Sequence, residues 1–329
     1  MGESPPPDLS VNLAGVTLAR PLVLLSGCVG FGAELLTLEG FDFSQIGAIC
    51  LKGTTLEPRL GNPPQRLAET ASGLLNAIGL QNPGARAVTE TILPRLLARL
   101  RDRDDAQALH LIANIAGATV EEYAKVARIF DDAPVAALEI NISCPNVKAG
   151  GMAFGADPRL AAQVVAAVRR VTRKPIITKL SPNVTSIRAI ARAALEAGSD
   201  AFAAINTLTG MAIDRQTRRP VLANVSGGLS GPAIKPVALF KVWEVYQEVA
   251  ARQRPIIGQG GISNALDAID FFLAGATAVG LGTILFRNPL IAAEINQGIS
   301  AYLTEQNSSN VSALTGTLGV ERPAGVCAR

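Results

Sequence analysis

The stretch Pro134-Val135-Ala136-Ala137-Leu138-Glu139-Ile140-Asn141-Ile142-Ser143-Cys144-Pro145-Asn146-Val147 decides the fold, because an apolar run stops abruptly in a cluster of polar and reactive side chains. Residues 134–142 read as a buried strand, and Cys144-Pro145 ends it. A run that is apolar on both faces belongs to a parallel sheet covered by helices. Seven other runs share the form: 22–26, 46–52, 110–115, 175–180, 201–206, 255–260 and 277–282, each ending in polar or glycine residues and most followed by a helix-period segment. Eight strand–helix units predict a closed (β/α)8 barrel, whose chemistry belongs at the strand C-termini.

The segment after the 134–142 run shows how such a strand is covered. Asp157 is placed to cap a helix and Pro158 suits its first turn, with Leu160, Val164, Val168 and Val171 on one face and Arg159, Arg169, Arg170 and Arg173 away from it. Upstream, 11–18 alternates and turns at Ala14-Gly15, as a hairpin does. Residues 53–83 and 207–236 are long insertions after the second and sixth runs. The first is expected to be a structureless functional loop, and both to lie over the mouth of the barrel. The predicted organisation is a disordered tail over 1–10, a single barrel domain over 11–304, and a tail over 305–329 whose structure the pattern leaves open.

Composition narrows the function. The chain has 329 residues, is rich in Ala, Gly, Val, Leu and Ile, and has a net charge of +3 with no basic run interleaved with aromatics, so no nucleic-acid footprint exists. Arg95, Arg99, Arg101 and Arg103 alternate with leucines as a solvated helix face does. Cysteines at 28, 50, 144 and 327 have neither metal-ligand nor paired spacing, and the single histidine, His110, starts its strand at the non-catalytic end. No zinc site is expected. The N-terminus lacks the pattern of a signal peptide, and 271–286 is shorter than the ~20 residues of a membrane span and reads as helix end, turn and strand. A reduced, cytoplasmic protein without a membrane segment is the expectation.

The strand ends supply Ser26, Lys52, Asn114, Asn141 with Cys144, Lys179, Asn206 with Thr207, Gly260-Gly261 and Gly282-Thr283. Two lysines, several carboxamides and a thiol, without a carboxylate pair, argue against glycoside hydrolysis and metal-assisted chemistry. Converging carboxamides suit a flat, imide-bearing ring such as a pyrimidine or a flavin. The two glycine turns sit where many barrels bind phosphate. A lysine ending an apolar run implies a bound anion, since an uncompensated ammonium there is costly. Lys179 could instead form a Schiff base, as in an aldolase-like lyase. Cys144, at a strand end facing a ligand, is placed to act as a base or nucleophile.

Asn141-Ile142-Ser143-Cys144-Pro145-Asn146-Val147, with segments 76–82, 112–117, 179–183, 205–210, 226–236 and 255–262, closely resembles the dihydroorotate dehydrogenase family over roughly residues 9–303. The cysteine, followed by Val147-Lys148-Ala149-Gly150-Gly151-Met152, is similar to the NAD-linked bacterial branch, whereas the quinone-linked branch carries serine there. The resemblance implies FMN-dependent oxidation of (S)-dihydroorotate to orotate in pyrimidine biosynthesis. It implies FMN contacts at Ser26, Lys52, Gly53, Asn114, Asn141, Lys179, Ile205, Gly231, Gly260, Gly261, Gly282 and Thr283. Lys52, Asn76, Ala77, Ile78, Gly79, Leu80, Asn141, Asn146, Asn206 and Thr207 would hold the substrate, and Cys144 would be the base. A dihydropyrimidine dehydrogenase-like enzyme shares the Asn-x-Ser-Cys-Pro core, but a carboxylate-binding Lys52 favours orotate over uracil. With no iron–sulfur cysteine cluster and no strand–Gly-x-Gly-x-x-Gly–helix unit in this chain, the implied route to NAD runs through a partner subunit carrying FAD and a [2Fe–2S] cluster. A homodimer of catalytic subunits within a heterotetramer is the implied assembly.

Overall fold

The computed structural model describes residues 5–143 and 151–320, without the side chains of 151–153. The chain opens with the antiparallel hairpin β1 (Val11–Leu13) and β2 (Val16–Leu18). Its two-residue turn places Ala14 and Gly15 at φ 52° and 91°, the pair of positive values that matches the twist of the flanking strands. The barrel begins with β3 (Leu22–Leu24) and β4 (Ala48–Cys50). The chain then departs into a hairpin, β5 (Leu67–Thr70) and β6 (Gly73–Asn76), and returns through β7 (His110–Ile115), β8 (Ala137–Asn141), β9 (Ile176–Leu180) and β10 (Ala201–Ala204). A second excursion carries β11 (Leu208–Gly210), the short ribbon β12 (Ile213–Asp214) and β13 (Arg219–Pro220), and β14 (Gly227–Ser230). β15 (Ile256–Gln259) and β16 (Ala278–Leu281) complete the barrel, and β16 pairs in parallel with β3 to close it.

All eight expected runs are barrel strands; 110–115 is kept whole and the others are trimmed by one to three residues at one or both ends. At the C-terminal ends the trimmed residues include Ser26, Lys52, Asn206, Gly260 and Gly282, which leave the ladder at the mouth. The helix Pro158–Arg169 starts where the cap predicts, with Asp157 accepting from the Arg159 amide, and buries Val164 and Val168. Arg169 departs from its expected outward place: it pairs with Asp200 at 2.8 Å and donates to the Lys174 carbonyl at 2.9 Å, tying the helix end to the strands it covers. At the closed bottom of the barrel, His110 Nε2 lies 3.1 Å from the Thr17 carbonyl, joining β7 to the hairpin.

Two expectations are corrected. The 53–83 insertion is not structureless: β5 and β6 join β14 and β11 in one antiparallel sheet of four strands, so the two insertions form a single cover over the mouth. Residues 8–10 are not a disordered tail, because the Asp8 amide donates to the Ser309 carbonyl at 2.8 Å and Leu9 is buried. On the other side of that contact, Val311 and Leu314 are buried in a short 3-10 turn. Among the described residues no helix is long and apolar enough to cross a membrane.

Candidate active site

The barrel floor beneath the mouth is polar, and Glu139 organises it. Glu139 lies on β8, is 1% exposed, and accepts hydrogen bonds from the Asn114 side-chain amide and from Cys50 Sγ at 3.3 Å, while Lys179 Nζ stands 3.5 Å away. Four neighbouring strands, β4, β7, β8 and β9, thus each supply one group to a closed cluster. Burial alone would weaken the Lys179 ammonium, but the carboxylate of Glu139 holds its pKa above the ordinary lysine value. A Schiff-base lysine must present a neutral amine, so this environment disfavours the lyase alternative.

Above the floor the carboxamides hold one another. Asn141 Nδ2 donates to Asn114 Oδ1 at 3.4 Å, Ser143 donates to Asn141 Oδ1, and Asn206 Nδ2 donates to Ser143 Oγ at 2.8 Å. From the helix Val120–Asp131 outside the barrel, the buried Tyr123 hydroxyl donates to the Asn141 carbonyl at 2.8 Å and its ring meets Phe154 edge-on, bracing the end of β8. Asn76, on the cover, donates to the Gly228 carbonyl at 3.1 Å, which fixes β6 against β14.

One cavity collects most of the residues the sequence singled out. Ser26, Lys52, Gly53, Asn141, Lys179, Ile205, Gly231, Gly260, Gly261, Gly282 and Thr283 line it from the barrel side. Asn76, Ile78, Gly79, Leu80, Asn206 and Thr207 line it from the insertions and strand ends. Asn114 and Ala77 stand behind this wall, both buried. Asn114 reaches the wall through Gly53: a Cβ there would sit 2.8 Å from Asn114 Oδ1. Cys144 and Asn146 lie outside the described residues. Sequence reasoning does not single out Glu139, which is one charge inside an otherwise apolar run. Cys28 also lines the cavity; burial raises its thiol pKa to about 11, against the pull of Lys179 and Lys52.

The turn after β15 fits a phosphate-bearing cofactor. Gly260 and Gly261 adopt φ 129° and 85°, and a Cβ on Gly261 would meet the Gly231 carbonyl oxygen at 3.0 Å and the Lys235 amide nitrogen at 2.9 Å. Only bare backbone passes here, which is the condition for amide groups to approach an anion closely. The turn is pinned from outside, as the Ser263 amide donates to Asp267 at 2.8 Å and Asp267 in turn pairs with Lys235.

A family model described as dihydroorotate dehydrogenase matches residues 8–303 of the chain. Among curated relatives, a protein of Pelobacter propionicus is 52% identical over 313 residues, covering 95% of this chain and 99% of its own. One of Desulforudis audaxviator is 52% identical over 308 residues (93% and 96%), and one of Geobacter sulfurreducens 50% identical over 315 (95% and 99%). Each of the three is named dihydroorotate dehydrogenase B (NAD(+)), catalytic subunit.

Proposed function

The chain belongs to the dihydroorotate dehydrogenase family, and from that premise we propose that it is a catalytic subunit oxidising (S)-dihydroorotate to orotate with bound FMN in pyrimidine biosynthesis. The observation that carries this reading is the convergence on one cavity of two lysines, linked carboxamides and a bare-backbone turn. Lys52 would hold the substrate carboxylate through a charge-assisted bond, and Asn76, Asn141, Asn206 and Thr207, with Asn146, would hold the imide edge. The residues Ala77, Ile78, Gly79 and Leu80 of the cover would close over the ring and exclude water. Cys144 would take the proton from carbon 5.

Bound FMN would supply the hydride acceptor for carbon 6. Loss of a proton from carbon 5 and a hydride from carbon 6 leaves the double bond of orotate. Ser26, Gly53, Asn114, Ile205 and Gly231 would seat the cofactor, and Gly260, Gly261, Gly282 and Thr283 would take its phosphate. Lys179, kept charged by Glu139, would favour negative charge on the cofactor's pyrimidine end. A partner subunit with FAD and a [2Fe–2S] cluster would carry the electrons to NAD, in a cytoplasmic assembly built on a dimer of catalytic subunits.

The direct test is spectroscopic. The purified chain should be yellow, release FMN on denaturation, and bleach when dihydroorotate is added without oxygen. A flavin-free chain that FMN cannot reconstitute would remove this reading. Lys52→Ala should bleach only at far higher dihydroorotate concentrations, and an unchanged concentration dependence would take Lys52 out of the site.

A further inference from the structure

Glu139 stands two residues before Asn141 on β8 and so on the same, inward face of the strand. Asn141 and Lys179 line the cavity, whereas Glu139 is buried behind them and does not border it. The groups facing Lys179 come from several elements. β8 brings Glu139 at 3.5 Å, β4 brings Cys50, the turn after β3 brings Cys28, and the end of β4 brings a second cation, Lys52. On the other side β10 places Ala203 opposite Lys179 in register and adds no charge. Burial pushes both thiols up, Cys28 to about 11 and Cys50 well above the ordinary thiol value, so both stay neutral between about pH 7 and 9. Burial alone would drive the proton off Lys179, and among the described residues Glu139 is the anion that opposes it. Glu139→Gln keeps the shape and an oxygen that can accept from Asn114, and removes the charge.

In the reaction read above, a hydride brings two electrons and one proton to FMN, which leaves one negative charge on the reduced ring until a second proton arrives. A fixed positive charge at the ring's pyrimidine end stabilises that anion, so two electrons enter with one proton. Were the lysine neutral in the resting protein, reduction would draw in a second proton, onto the lysine or onto the ring. We propose that Glu139, from behind the cavity wall, is a positioning residue that sets the reduction potential of bound FMN and its pH dependence through Lys179. The inference rests on the FMN reading above.

The test measures the midpoint potential of FMN bound to the full-length chain by equilibration with redox dyes from about pH 7 to 9, where each proton taken up with two electrons adds a tenfold change per pH unit, about 30 mV. The wild type should show the slope of one proton, and Glu139→Gln should fall more steeply, toward two. In a Lys179→Met background Glu139→Gln should leave the potential unchanged, because a buried carboxylate without its ammonium takes up a proton itself and already resembles the amide. Parallel slopes for the wild type and Glu139→Gln would overturn the proposal, as would a displacement of the potential in the Lys179→Met background as large as in the wild-type one. A wild-type slope of two protons would overturn it too, and that measurement decides even where a variant fails to fold or to hold flavin. A wild-type chain that holds no FMN and cannot be reconstituted with it would overturn the cofactor reading itself, a result distinct from bound FMN with the wrong slope.

Discussion

Glu139 and the thiols show how much hangs on single side chains. The Lys179–Glu139 pair is buried, so removing one partner strands the other's charge in the barrel. Glu139→Ala should therefore cost about 3 kcal/mol or more in denaturant unfolding. Glu139→Leu with Lys179→Met should regain most of it, since neither charge is then buried. Because the folded-state pKa of Lys179 is raised, its contribution is complete below the unfolded value of ~10.4 and fades as pH climbs through the folded one. In Glu139→Ala burial acts on Lys179 without its carboxylate partner and pulls the folded-state pKa below the unfolded one, so the stability gap to wild type should begin to narrow below ~10.4 and keep narrowing as pH climbs through the raised wild-type value. A second expectation separates the thiols. A base at Cys144 should make flavin reduction rise with pH through an ionisation near ~8.5, whereas Cys28, raised to about 11, stays a thiol across that range. Cys28→Ala should preserve the pH profile of flavin bleaching in rapid mixing. Cys144→Ser should slow bleaching by roughly 10²-fold or more, and Cys144→Ala further still. Near-wild-type bleaching by Cys144→Ala would assign the base to another group.

At the level of elements, the parallel strands are legible because each is a mostly apolar run with a polar end, a signal contained in five to nine consecutive residues. The cover sheet is not. β6 pairs with β14, whose residues lie some 150 positions away, as Leu75 opposite Leu229, and neither strand alternates strictly between apolar and polar residues. Glu139 escaped notice for the same reason, since its partners come from three other strands and no local pattern announces them. The cover has a mechanical consequence for the side of the cavity proposed to hold the substrate. A Cβ on Gly228 would fall 1.9 Å from Thr207 Oγ1 and 2.6 Å from Thr207 Cβ, so even alanine must displace Thr207 or open the sheet. Gly228→Ala should raise the KM for dihydroorotate with an artificial acceptor, while the protein keeps its flavin because the glycine turn proposed for the phosphate follows β15. Loss of flavin with an unchanged KM would mean that the cover seats the cofactor rather than the substrate.

The whole molecule joins a sealed bottom to a covered mouth. The hairpin β1–β2 packs under the barrel, and the 306–320 segment lies along its outer helices, where the Leu318 amide donates to the Leu273 carbonyl at 3.1 Å. A barrel built this way can shelter one flavin and one substrate ring, but its sequence provides no dinucleotide-binding unit and no cysteine spacing for an iron–sulfur cluster. On the proposed route, electrons that enter the flavin leave through a partner subunit. Small dye acceptors can collect them from the bound flavin, whereas NAD needs a site that orients its ring for hydride transfer. The isolated chain should accordingly oxidise dihydroorotate rapidly with a dye and reduce NAD only slowly. Co-expression with a subunit carrying FAD and a [2Fe–2S] cluster should raise NAD reduction toward the dye-linked rate without altering the concentration dependence on dihydroorotate, because every residue proposed to hold the substrate belongs to this chain. Efficient NAD reduction by the chain alone would show that it carries a nicotinamide site of its own, and the two-subunit route would fall.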